Sequence, residues 1–90
     1  MTPEDIAAAI NGAVVEHDGK TWTITVERTE LTEPHAYAVH VRIAGLTEHR
    51  GTLVIGRGYT VPRRLRAIAV GAARGFLTGK TPPGGRVSLL

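Results

Sequence analysis

Five arginines within eighteen residues, Arg57, Arg63, Arg64, Arg66 and Arg74, form the densest cluster of chemically specific side chains in this sequence. A guanidinium is a permanently charged planar fork that pairs with phosphate or carboxylate through parallel hydrogen bonds. The chemistry on offer is therefore anion binding, not proton transfer. Three of the five, Arg63, Arg64 and Arg66, fall in the opening turns of a predicted helix, where free N–H groups and the helix dipole favour negative charge and disfavour cations. Three kinds of compensation are open. Phosphates could sit at the helix start, front-half acids such as Glu4, Asp5 or Glu33 could pair with the arginines, or water could solvate a plain polar face.

Other chemistries find less material. There is no cysteine, so thiol nucleophiles, thiolate metal sites and disulfides are excluded. The one serine, Ser88, lies near the end of the chain and makes a poor triad nucleophile. His17, His35, His40 and His49 are scattered over different predicted strands and loops, and no metal spacing emerges. The segment Gly75 to Thr81 resembles a P-loop but has three residues between its glycines where four are required, and it follows a helix instead of a strand. Gly56-Arg57-Gly58 lacks the third glycine of a dinucleotide fingerprint and reads as a turn. Neither an enzyme nor a cofactor is expected.

Positioning this cluster requires a small α+β domain. Thr2-Pro3-Glu4-Asp5 starts a first helix, with Thr2 as cap, that buries Ile6, Ala9 and Ile10, and Asn11-Gly12 ends it. Asp18-Gly19 is the pair favoured in two-residue hairpin turns. Trp22, Ile24 and Val26 alternate with threonines, and Tyr37, Val39, Val41 and Ile43 repeat the pattern after a connection at residues 31–35. Residues 46–50 read as a turn, and Thr52 to Ile55 as a short strand bounded by Gly51 and Gly56. The last helix runs from about Val61 to Leu77 with Thr60 as a possible cap. One of its stripes, Leu65, Ile68, Ala69, Ala72 and Phe76, faces the core; a second carries Ala67, Gly71 and Gly75 at spacing four. The expected architecture has two layers: an antiparallel sheet of three to four strands, with the N-terminal and C-terminal helices on one face. The domain spans residues 1–78, and residues 79–90 form a Gly/Pro-rich tail whose apolar end can dock as an edge strand.

Charge divides the chain. Met1 to Pro34 carries seven acidic and two basic residues, net −5, whereas His35 to Leu90 carries nine basic residues against Glu48 alone, net +8. Such asymmetry suggests a polyanion-binding face, and complementary halves could equally neutralise each other within or between subunits. The small stripe Ala67, Gly71, Gly75 and the end Val87, Leu89, Leu90 offer a surface for homo-oligomerisation or a protein partner. Glu4 and Asp5 stand where a secretory signal would carry positive charge, and no apolar run reaches membrane-spanning length. A cytoplasmic protein without membrane contact is expected.

Pro34-His35 before a strong strand, and Gly56-Arg57-Gly58 followed by Arg63-Arg64 and Arg66 at the start of the last helix, resemble two motifs of the double-stranded-RNA-binding domain. The likeness covers about residues 20–77. It implies that the three arginines bridge phosphates across a major groove while His35 touches the minor groove. The chain departs from that pattern in having Glu33 before Pro34, two extra residues before the basic pair, Pro62 at the helix junction, and a further strand from the Asp18-Gly19 hairpin. The order of elements is also similar to that of small bacteriophage assembly and host-takeover proteins, at the level of architecture. RNA or DNA is thus the expected partner, with assembly into an oligomer the alternative.

Overall fold

The first helix, α1 (Pro3–Ile10), begins where the sequence places it. Thr2 Oγ1 accepts from the Asp5 N–H at 3.2 Å, and Asp5 Oδ2 accepts from the Thr2 N–H at 2.9 Å, a reciprocal capping box behind Pro3. The Thr2 N–H, and after it the Thr2 hydroxyl, hold the Asp5 carboxyl below the usual carboxylate range. A depressed carboxyl stabilises above its unfolded pKa, so this contribution fades as pH falls into the acid range. This computed structural model describes residues 2–32, 36–58 and 61–89.

Four strands follow α1 as an antiparallel meander: β1 (Val14–His17), β2 (Lys20–Thr32), β3 (Ala36–Ala44) and β4 (Glu48–Gly56). The β1–β2 turn is Asp18-Gly19 with φ of 53° and 70°, the doubly left-handed pair whose twist matches the strands it joins. After β4 the chain forms α2 (Pro62–Leu77) and returns as β5 (Arg86–Leu89), parallel to β4, in a five-stranded sheet of order β1-β2-β3-β4-β5. The α+β class and the two helices agree with the sequence. The three- to four-stranded antiparallel sheet does not, because β5 adds a parallel edge. A flat two-layer stack is also too simple. Helix α2 touches both β1 and β4, which have two strands between them, so the sheet curls around the helices.

The Gly/Pro-rich segment before β5 is pinned at both ends. The Thr81 N–H donates to Gly75 O at 3.1 Å and the Gly84 N–H to Arg50 O at 2.8 Å. Two element boundaries also move: β2 runs on to Thr32 through part of the expected connection, and β4 starts at Glu48 inside the expected turn. A bulge between Val26 and Arg28 inserts Glu27 into β2. Asn11 Oδ1 accepts the Val26 N–H there at 2.9 Å, tying the end of α1 to the irregular strand.

Core residues come from α1 (Ile6, Ile10), β1 (Val15), the inward positions of β2 to β4, and α2 (Leu65, Ala69, Ala73, Phe76). On α2 the stripe is rotated slightly from the sequence reading: Ala73 is buried, while Ile68 and Ala72 are half-buried. Two aromatic rings press onto glycines. A Cβ built at Gly51 would lie 2.1 Å from the Phe76 ring, and one at Gly45 would lie 2.5 Å from the Trp22 ring. Gly51, taken from the sequence as the boundary of a strand, lies inside β4 because only a bare backbone lets Phe76 reach the sheet.

Candidate nucleic-acid interface

Helix α2 contains no acidic residue, and its N-cap, Val61, makes no side-chain cap bond. Its first turn therefore combines a positive dipole end with arginines. Backbone donors are fewer than a generic helix start would supply. Pro62 has no N–H, and the Arg64 N–H turns back to Val61 O at 3.0 Å, so within residues 62–64 only the Arg63 N–H lacks a partner among the described residues. What this end offers an anion is therefore mainly side chains.

Four of the five arginines separate into two pairs. Arg63 and Arg64 are exposed and have no side-chain partner among the described residues. Arg57 is also exposed, in the turn after β4. Arg66 and Arg74 reach back to the front half of the chain. Arg66 Nε donates to Ala9 O at 3.0 Å and its Nη2 to Asn11 O at 3.5 Å, at the C-terminal end of α1. That end has no basic residue of its own, so Arg66 supplies the cation its carbonyls favour. Arg74 Nε donates to Glu16 O at 3.4 Å, covering one outward carbonyl of the edge strand β1. The sequence reading missed both contacts. Each links residues more than fifty positions apart, and no local pattern announces them.

Replacing Arg66 with alanine should cost about 1–2 kcal/mol through loss of the charged contact to the α1 terminus, seen as a lower urea midpoint with an unchanged slope. Replacement with lysine should recover part of it.

The acidic front and basic back also meet on the sheet. Glu27 lies 3.8 Å from Arg50 Nη2, and Glu30 lies 3.7 Å from His40 Nε2 while pairing with Arg28. Glu4 and Asp5, two of the acids offered as internal partners for the helix start, make no ion pair with Arg63, Arg64 or Arg66. Glu33, the third, and His35 fall outside the described residues, as do Thr60 and Leu90. Of the other interface candidates, Ala67 and Gly71 are exposed, and a Cβ at Gly71 would meet open space. Tight packing on the sheet is therefore not the reason for that glycine. Gly75 is half-buried, its added Cβ 3.3 Å from Thr81 Oγ1, and Val87 and Leu89 pack partly against the core.

Among the described residues, no three His, Asp or Glu side chains group as metal ligands, and no helix is long and apolar enough to cross a membrane. Comparison with protein-family models, with curated proteins and with solved structures gives no match. The likeness to the double-stranded-RNA-binding domain therefore rests on the quoted residues alone.

Proposed function

We propose that the chain is a non-catalytic binding module that holds nucleic acid through phosphate contacts of the α2 start. One observation carries this reading: Arg63 and Arg64 stand exposed at an uncapped helix start, and no carboxylate among the described residues compensates them. Phosphates of a nucleic-acid chain supply the missing counter-charge through the guanidinium forks. Arg57 lies in the turn that leads into the same helix. Binding built on phosphates alone tolerates sequence and weakens steeply with salt. The test is electrophoretic mobility of duplex RNA, duplex DNA and single strands with the protein at low salt. A shift supports the reading, and no shift on any of them at roughly tens of micromolar protein overturns it.

A second reading, self-association, is favoured by Gly71, where an added Cβ would meet no atom within 4 Å among the described residues. Ala67 beside it keeps that face smooth enough for another backbone to approach. Gly71→Ala should stabilise the monomer by about 0.8–1 kcal/mol in thermal unfolding, since glycine is the poorer helix former. If the face is an interface, the same change weakens dimerisation in light scattering. A wild-type chain that scatters as a monomer at high concentration removes this second reading.

A further inference from the structure

The sheet face turned away from the helices carries a second basic group, remote in sequence from α2. Strand registers set Thr25, Arg42 and Arg50 in one row across β2, β3 and β4, and set Arg28, His40, Thr52 and Arg86 in the next row across β2 to β5. Like charges directly opposed on neighbouring strands disfavour a sheet, so Arg42 and Arg50 require compensation. Arg50 has it. Its Nε donates to Glu48 Oε1 at 3.0 Å, and Glu27 lies 3.8 Å from its Nη2. Arg28 has Glu30, which also approaches His40. The three carboxylates of this region, Glu27, Glu30 and Glu48, are thus engaged by neighbours, and none pairs with Arg42.

Arg42 is half-buried, makes no hydrogen bond or ion pair among the described residues, and has its Nε enclosed without an acceptor. Buried donors are nearly always satisfied, and leaving one unpaired costs stability. A sheet position that tolerates an unpaired cation at such a cost is where function commonly overrides folding. Thr25 stands opposite Arg42 with a hydroxyl donor, and in the adjacent row Glu27, Arg28 and His40 line a separate shallow groove.

We infer that the open face of the sheet binds a phosphate group at Arg42, left without a carboxylate among Glu27, Glu30 and Glu48, assisted by the Thr25 hydroxyl. With Nε enclosed, the bonds come from the two Nη groups. This site lies across the sheet from Arg63 and Arg64 and does not depend on what they bind.

The experiment follows side-chain and backbone N–H signals of the full chain by NMR during titration with pyrophosphate against sodium chloride at matched ionic strength. Wild type and the Arg63→Gln/Arg64→Gln variant should both show saturable shifts at Arg42 Nε–H and at the amides of Thr25, Arg42 and Arg50. Thermal unfolding should rise with pyrophosphate in both. Arg42→Met should lose the shifts and the thermal response, while its ligand-free midpoint equals or exceeds that of wild type because the enclosed donor is gone. Arg42→Lys, which keeps the charge without the fork, should weaken binding several-fold. A single-stranded oligonucleotide without terminal phosphates separates the sources: if it moves the same signals the phosphate belongs to a polymer, and if only pyrophosphate moves them it is a free phosphate group. Absence of saturable shifts in wild type with either probe overturns the inference. So does an unchanged response in Arg42→Met, or a large loss of ligand-free stability in that variant, which would make Arg42 a structural residue.

Discussion

Phe76→Ala is expected to cost about 3–5 kcal/mol, enough to leave a domain of this size largely unfolded near body temperature. Phe76 is buried at 3% exposure and its ring rests on the bare backbone of Gly51, so alanine removes both the apolar burial and the seal between α2 and β4. The converse change is nearly as informative. Gly51→Ala puts a methyl group into the space of the ring, and overpacking of that kind costs about 1–3 kcal/mol or more. The two effects must couple. In the Phe76→Ala background, Gly51→Ala should cost far less than it does alone, since the clashing ring is absent. Urea unfolding of the four chains in this cycle measures it, and strictly additive losses would contradict the packing described here.

That contact marks where the sequence could be read and where it could not. The capping box at Thr2 and Asp5, the Asp18-Gly19 turn, and the alternation through Trp22, Ile24 and Tyr37 to Ile43 are local signals, and each lies in the structure where its residues put it. Gly51 carries no such signal. Within a strand it looks like a breaker, and its purpose becomes visible only when a ring twenty-five residues later lies against it. The apolar end was legible as an edge strand, and β5 is one; its parallel pairing with β4 depends on how α2 crosses the sheet.

The arginines teach the same lesson at the candidate site. All five look alike in sequence, and together they suggest one continuous basic face. Arg66 and Arg74 are instead taken up by Ala9, Asn11 and Glu16 carbonyls. Spacing hints at this only in part. Arg66 lies one turn inside the helix, on the side facing α1, whereas Arg63 and Arg64 precede the first buried position, Leu65. Arg42 carries no signal of its own, because a lone arginine in an alternating strand reads as ordinary solvent-facing polarity. The register that sets it against Arg50 is a property of the assembled sheet.

The second large effect concerns Arg63 and Arg64 alone. A variant that also removes Arg66 would disturb the end of α1 and confound binding with folding, so Arg66 must stay. Arg63→Gln/Arg64→Gln should leave thermal unfolding close to that of wild type, because neither side chain has a partner within the described fold. Its nucleic-acid affinity should fall steeply at low salt, and the fall should be similar for different base sequences. Each phosphate contact contributes about 0.9 to the slope of log affinity against log salt on duplex DNA, so losing two should flatten the slope by about 1.8.

Fluorescence anisotropy of a labelled duplex, titrated with wild type and with Arg63→Gln/Arg64→Gln over a series of salt concentrations, tests the central claim most directly. Wild type should bind strongly and with marked salt sensitivity, and the variant should give a weaker, flatter response, for duplexes of unrelated sequence. Equal affinities and equal slopes for the two proteins would contradict it, as would the absence of binding by wild type at the lowest salt.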